Sequence, residues 1–179
     1  ADISFLLLTF FLLTSSIDTD LGINRLLPPP PLPEQPMDVK VKERNIFVVL
    51  INTYDQLLVR KKQGDIKTLR KDAKFFISNP YNDPHFPEKE IVNIEHIGPY
   101  PVSKGIISLQ NDRGTSYSMY IKVQNELTAA FSELRDELSI EKFGVKYEDL
   151  KNPDYQKAIR TAIPLKISEA EPKDIGGTK

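Results

Sequence analysis

From Ile3 to Ile17 the chain reads ISFLLLTFFLLTSSI, fifteen residues without a charge, and every longer stretch after it is studded with charges. This split constrains the fold more than any other feature: one apolar segment followed by one water-soluble domain. Fifteen helical residues rise about 22 Å, against a bilayer core about 30 Å thick. The segment is read as the distal part of a single transmembrane helix, residues 1–17, with the start of the span lying before Ala1. A secretory signal is the rival reading, because Thr14, Ser15 and Ser16 are small residues following a short apolar run.

Asp2 is the feature that separates these readings. A carboxylate within a membrane span costs about 2.5–3.5 kcal/mol on insertion scales, and an intramembrane acid is a functional hypothesis by default. Carboxyl groups in apolar surroundings favour the neutral form and exchange a proton when water reaches them. Thr9 lies seven residues from Asp2 and Ser16 fourteen. Seven residues fall about 20° short of two helical turns, so Asp2, Thr9 and Ser16 form one polar stripe facing a partner or a water path. The plainer reading places Asp2 at the headgroup-level end of the helix, with no role beyond that.

Residues 18–44 read as a spacer. Four consecutive prolines, Pro28 to Pro31, are followed by Pro33 and Pro36. Such a run favours polyproline II at about 3.1 Å per residue, so Pro28 to Pro36 would span about 28 Å as a semi-rigid strut. The same composition also suits a ligand for an aromatic groove. Met37 to Arg44 is a charged lead-in with the pattern of an edge strand.

Residues 45–168 read as a small α+β domain, with helices packed on one face of a mixed β-sheet. NIFVVL (45–50) and QLLVR (56–60) flank a turn and predict a hairpin. Asp65 is placed to cap a helix over 66–77, where Ile66, Leu69, Ala73, Phe76 and Ile77 recur at helical steps. Residues 79–104 contain Pro80, Pro84, Pro87 and Pro99 and exclude a helix, with a short strand at 91–94 inside them. GIISLQ (105–110) predicts a strand. A long helix then runs from Thr115 or Ser116 to Gly144, a suitable C-terminal cap. A short helix over 154–162 and a last strand over 164–168 complete the domain, and the polar tail 169–179 is expected to be disordered.

Several functions fit poorly. The net charge of -1 carries no basic stripe, so no nucleic-acid partner is expected. The chain has no cysteine, which excludes a disulfide framework and a thiolate metal site. His85 and His96 are the only histidines and are read as loop residues, so neither a metal nor another cofactor is expected. No phosphate loop, nucleophile elbow or zinc-protease motif occurs. The soluble domain reads as a binding and assembly module, not an enzyme.

The residues also resemble a family. ADISFLLLTFFLLTSSIDTD is similar to the single membrane helix of ExbD/TolR proteins, in which an Asp opens a run of Leu and Phe. IFVVLINTYDQLLVR, DIKTLRKDAK and IISLQNDRGTSYSMYIKVQNELTAAFSEL follow in the family's order, with Asp112 and Tyr117 filling the positions of a strand-terminal Asp and a helix-opening Tyr. The resemblance covers residues 1 to about 138. It implies a single-pass protein of the bacterial inner membrane with its soluble domain in the periplasm. It further implies a homodimer whose helices sit, amid membrane lipid, in a pentameric ring of an ExbB- or TolQ-like partner. Asp2 would be the proton-coupling residue, with Thr9 and Ser16 as an auxiliary pore face. The proton motive force would then move a TonB- or TolA-like transducer. A TolR-like or non-coupling envelope anchor is the alternative. Segments 79–104 and 144–163 are longer than in compact members.

Overall fold

The computed structural model describes residues 2–14 and 42–169. The chain divides into two units, Ala1–Val39 and Lys40–Lys179. Among its described residues the first contains one helix, α1 (Asp2–Thr14). Ser16, the spacer from 18 to 41 and the tail from 170 onward lie outside the described residues.

The second unit is a mixed α+β fold. Its elements are β1 (Ile46–Ile51), β2 (Leu57–Val59), β3 (Lys62–Gln63), α2 (Ile66–Ser78), β4 (Lys89–Ile94), β5 (Gly98–Ser103), β6 (Ile106–Asn111), α3 (Tyr117–Phe143), α4 (Pro153–Ala162) and β7 (Ile167–Glu169). The main sheet has the order β3-β2-β1-β6-β7. β1 pairs antiparallel with β2 but parallel with β6, and β6 pairs parallel with β7. A parallel neighbour requires a crossover, and α2 lies within the connection between β1 and β6.

All six residues of β1 are apolar, so no alternation shows in its sequence. Burial alternates all the same: Phe47, Val49 and Ile51 are buried while Ile46, Val48 and Leu50 are only partly covered. Ile107 and Leu109 of β6 continue the buried face. Against it pack Leu69, Ala73 and Phe76 of α2 and Val123, Leu127 and Phe131 of α3. The steps of three and four place each set on one helical stripe. The helix ends are fixed locally. Asp65 accepts the Lys67 N–H at 2.9 Å, Ser116 the Met119 N–H at 3.2 Å, and Asn152 the Asp154 N–H at 2.9 Å ahead of Pro153. Asn79 and Gly144 close α2 and α3 in the left-handed conformation.

Four expectations are revised. First, residues 79–104 hold more than one short strand. β4 and β5 form a separate antiparallel ribbon, with Pro99 and Pro101 inside β5. The Lys104 N–H bonds the Glu88 carbonyl at 2.8 Å, which sets the bonded register at 104, 102, 100 and 98. The two prolines fall on the alternate positions and point their nitrogens to the ribbon's free edge, where no donor is needed. Second, the described part of the lead-in is not an edge strand: Glu43–Asn45 is a 3-10 turn. Side chains hold it there. The buried Asn45 accepts the Glu88 N–H at 3.0 Å, and Arg44 reaches the Pro84 carbonyl at 3.1 Å. Third, a two-residue strand, β3, follows β2. Fourth, Glu169 ends β7 and does not begin the tail.

The segments read as insertions fold against each other. Tyr155 of α4 stacks on Phe143 at 4.4 Å and meets the ring of His96, in the β4–β5 turn, edge-on at 5.1 Å. Ala158, Ile159 and Ala162 are buried beneath. His85 and His96 both sit in turns, as expected.

Candidate functional site

α1 is mainly apolar, its polar residues being Asp2, Ser4, Thr9 and Thr14. Ile3, Phe5, Leu6, Leu7, Leu8, Phe10 and Phe11 are each between 53% and 74% exposed. The helix is therefore rich in exposed apolar surface. Its thirteen residues rise about 20 Å. Among the described residues no helix is long and apolar enough to cross a membrane.

Asp2 is the one charged residue of this helix and lies in its first turn, exposed. Thr9 sits seven residues on, about 10 Å along the axis and on nearly the same face. Its hydroxyl turns back onto the helix, donating to the Phe5 carbonyl at 3.0 Å and the Leu6 carbonyl at 2.9 Å. Its one proton is thereby committed, and what Thr9 offers a neighbour is an acceptor oxygen. Helical geometry thus brings Asp2 and Thr9 onto one face. Ser16, the third member of the predicted stripe, lies outside the described residues.

In the α/β unit, the two positions singled out by resemblance lie in the stretch that leads from the C-terminal end of β6 into α3. Asp112 is buried just past β6, its N–H bonding the Ile51 carbonyl at 2.9 Å. Tyr117 opens α3 and is 77% exposed. Around them the turn after β1 is pinned to the start of α3. Thr115 donates its hydroxyl to the carbonyls of Ile51 and Asn52, both at 3.2 Å. Asn52 accepts the N–H groups of Tyr54 and Gln56.

One further cluster has no local signal in the sequence. Glu88 receives both Lys42, at 2.5 Å, and Arg44, from residues 46 and 44 positions away. It fastens the point where the chain enters the α/β unit to the 79–88 loop.

No individual curated protein matches the chain. Residues 1–135 match the family described as biopolymer transport protein ExbD/TolR. That match takes in 135 of 179 residues, spanning the acid-headed apolar helix and the α/β unit through most of α3, and on it the chain belongs to the ExbD/TolR family.

Proposed function

We propose that the chain is the proton-coupling subunit of an inner-membrane motor of the ExbB–ExbD kind, energising TonB-dependent transport across the outer membrane. In this reading the α1 segment belongs to the membrane span and the α/β unit works in the periplasm. The family supports the coarser part: ExbD/TolR proteins are membrane-anchored and generally work with ExbB/TolQ and TonB/TolA partners. The observation that carries the finer part is Asp2, the single charge on a helix made up mainly of apolar residues.

The physical basis is a two-state carboxyl group. A neutral carboxyl passes an apolar wall at modest cost, whereas an ionised one needs water or a polar partner. One elementary charge moved through 100 mV is worth about 2.3 kcal/mol, enough to bias a conformational step. Thr9, with its proton held by the helix backbone, is suited to accept a hydrogen bond from a protonated group or a water on the same face. It is not suited to donate to a carboxylate. Thr9 is therefore an auxiliary residue and Asp2 the proton carrier.

The test is Asp2→Asn in the full-length protein, with growth measured on a nutrient that requires energised outer-membrane uptake. Protein level and membrane insertion are followed in the same cells. Loss of uptake with the protein present and inserted supports the reading. Unchanged uptake overturns it, and unchanged uptake together with a leaky envelope assigns the TolR-like role instead. Thr9→Val is expected to reduce uptake partially, and full uptake in that variant removes Thr9 from the mechanism.

A further inference from the structure

The β4–β5 ribbon packs on the core through one face, with Val92, Ile94, Tyr100 and Val102 turned inward. Strand alternation puts Lys89, Ile91, Asn93, Pro99 and Pro101 on the other face. Ile91 is 68% exposed, more than any other aliphatic side chain described in the α/β unit. Pro101 stands beside it in the cross-strand register and is exposed as well.

The two edges of the ribbon are built differently. On β5 the outward backbone positions are Pro99, Pro101 and Ser103. The two prolines have no N–H, and the Ser103 carbonyl accepts from Lys166 Nζ at 3.2 Å. Such an edge resists further pairing. On β4 the outward positions are Lys89, Ile91 and Asn93. All three carry an N–H. Among the described residues no strand flanks them and no hydrogen bond engages their outward backbone groups. β4 is six residues long and pairs without a bulge, whereas the end strands of the main sheet, β3 and β7, have two and three residues. An open, regular edge is a template for another strand.

We infer that β4 pairs antiparallel with β4 of a second copy of this chain, about a two-fold axis at Ile91. The outward groups are symmetric about that residue. Ile91 faces its own counterpart, and Lys89 faces Asn93 of the second copy. Each facing pair exchanges two backbone hydrogen bonds, so no outward group is left over. The side chains match too. Pro101, Ile91 and the same two residues of the second copy fall in one apolar row across four strands. Lys89 meets a neutral Asn93 directly and the exposed Glu95 one diagonal step further on, so each cation gains an acidic neighbour. The two copies of Lys89 stand about 13 Å apart. Glu90 lies diagonal to its counterpart, but each is already paired with Lys104 of its own chain at 3.2 Å. The pairing is independent of the role given to Asp2.

The chain has no cysteine, so introduced cysteines report the register. Ile91→Cys, Lys89→Cys and Asn93→Cys are made separately in the full chain and oxidised in detergent. Facing Cα atoms about 5.5 Å apart are within disulfide reach, and positions about 13 Å apart are not. Ile91→Cys is expected to cross-link with itself about tenfold faster than either other variant does alone. Lys89→Cys and Asn93→Cys chains are expected to cross-link when mixed. Ile91→Pro added to both chains of that mixture should slow the cross-link about tenfold, by deleting the central pair of bonds. The ribbon itself does not use the Ile91 N–H, so the melting curve should stay unchanged. Equal cross-linking at all three positions, none at Ile91→Cys, or a mixed cross-link that Ile91→Pro leaves intact overturns the proposal. A dimer held together elsewhere in the chain gives none of this pattern and overturns it as well.

Discussion

The carboxylate of Asp55 accepts the backbone N–H of Ser116 at 2.9 Å, tying the turn after β1 to the residue that caps α3. The two residues are 61 positions apart in sequence. The bond closes the joint at which the first strand, the last core strand and the longest helix converge. Asp55 adopts a left-handed φ of 59° to reach it, a conformation that Asp tolerates better than most residues.

This bond has a pH signature. Hydrogen bonds from the Ser116 side chain and then its backbone hold the Asp55 carboxyl below the usual carboxylate range. A depressed folded-state pKa adds stability that is fully present above the unfolded value and is lost as pH falls through the folded value. Asp55→Asn is therefore expected to lower stability at neutral pH, with the difference from the parent shrinking below about pH 4. Urea unfolding at a series of pH values checks this. A difference that stays constant down to pH 2.5 would show that the carboxylate charge is irrelevant.

The same joint is sterically closed at Gly114. A Cβ there would sit 2.6 Å from Thr53 Cγ2 and 3.1 Å from Thr53 Cβ. Gly114→Ala should destabilise the unit by about 1–3 kcal/mol through overpacking. Thr53→Ala removes the nearer atom, so adding it to Gly114→Ala should restore part of the loss. Additive costs in a double-mutant cycle would contradict direct contact as the cause.

Lys61 gives a prediction of opposite sign. Its φ of 67° suits glycine, so Lys61→Gly should raise stability by about 0.5–1 kcal/mol, while Lys61→Val lowers it. Chemical denaturation of both variants reads the two shifts. Equal effects would mean that the turn relaxes in solution.

α4 and the β4–β5 ribbon should open as one unit. Ile159 is fully buried, and Ile159→Ala should cost about 2–4 kcal/mol. Tyr155→Ala removes the contacts to Phe143 and His96. In that variant, hydrogen exchange should speed up in α4, β4 and β5 while the β1–β6 ladder stays protected. Faster exchange confined to α4 would show that the ribbon stands alone.

Much of the fold was legible because its signals are local. The stripe Leu69–Ala73–Phe76–Ile77, the Asp65 cap and the Gly144 stop are each settled within one or two helical turns, and the structure agrees to within a residue or two. Asp2 and Thr9 share a face because both lie on one helix, and no tertiary contact is needed to put them there. The prolines of β5 misled because the residues alone cannot say that a strand has only one neighbour.

What the sequence by itself determined was the division into an acid-headed apolar helix and an α/β unit, together with the helices and their ends. Periodicity and capping act over a few residues, and a chain carries that information wherever it folds. Only the tertiary structure decided which face of the uniformly apolar β1 is buried and that β6 lies parallel beside it. It also decided that Glu88 holds Lys42 and Arg44, that Arg60 lies over the Phe86 ring, and that Phe75 packs against Phe86 and Tyr81. Those outcomes depend on long-range closure, in which packing of many side chains at once selects one arrangement among several that the local pattern allows.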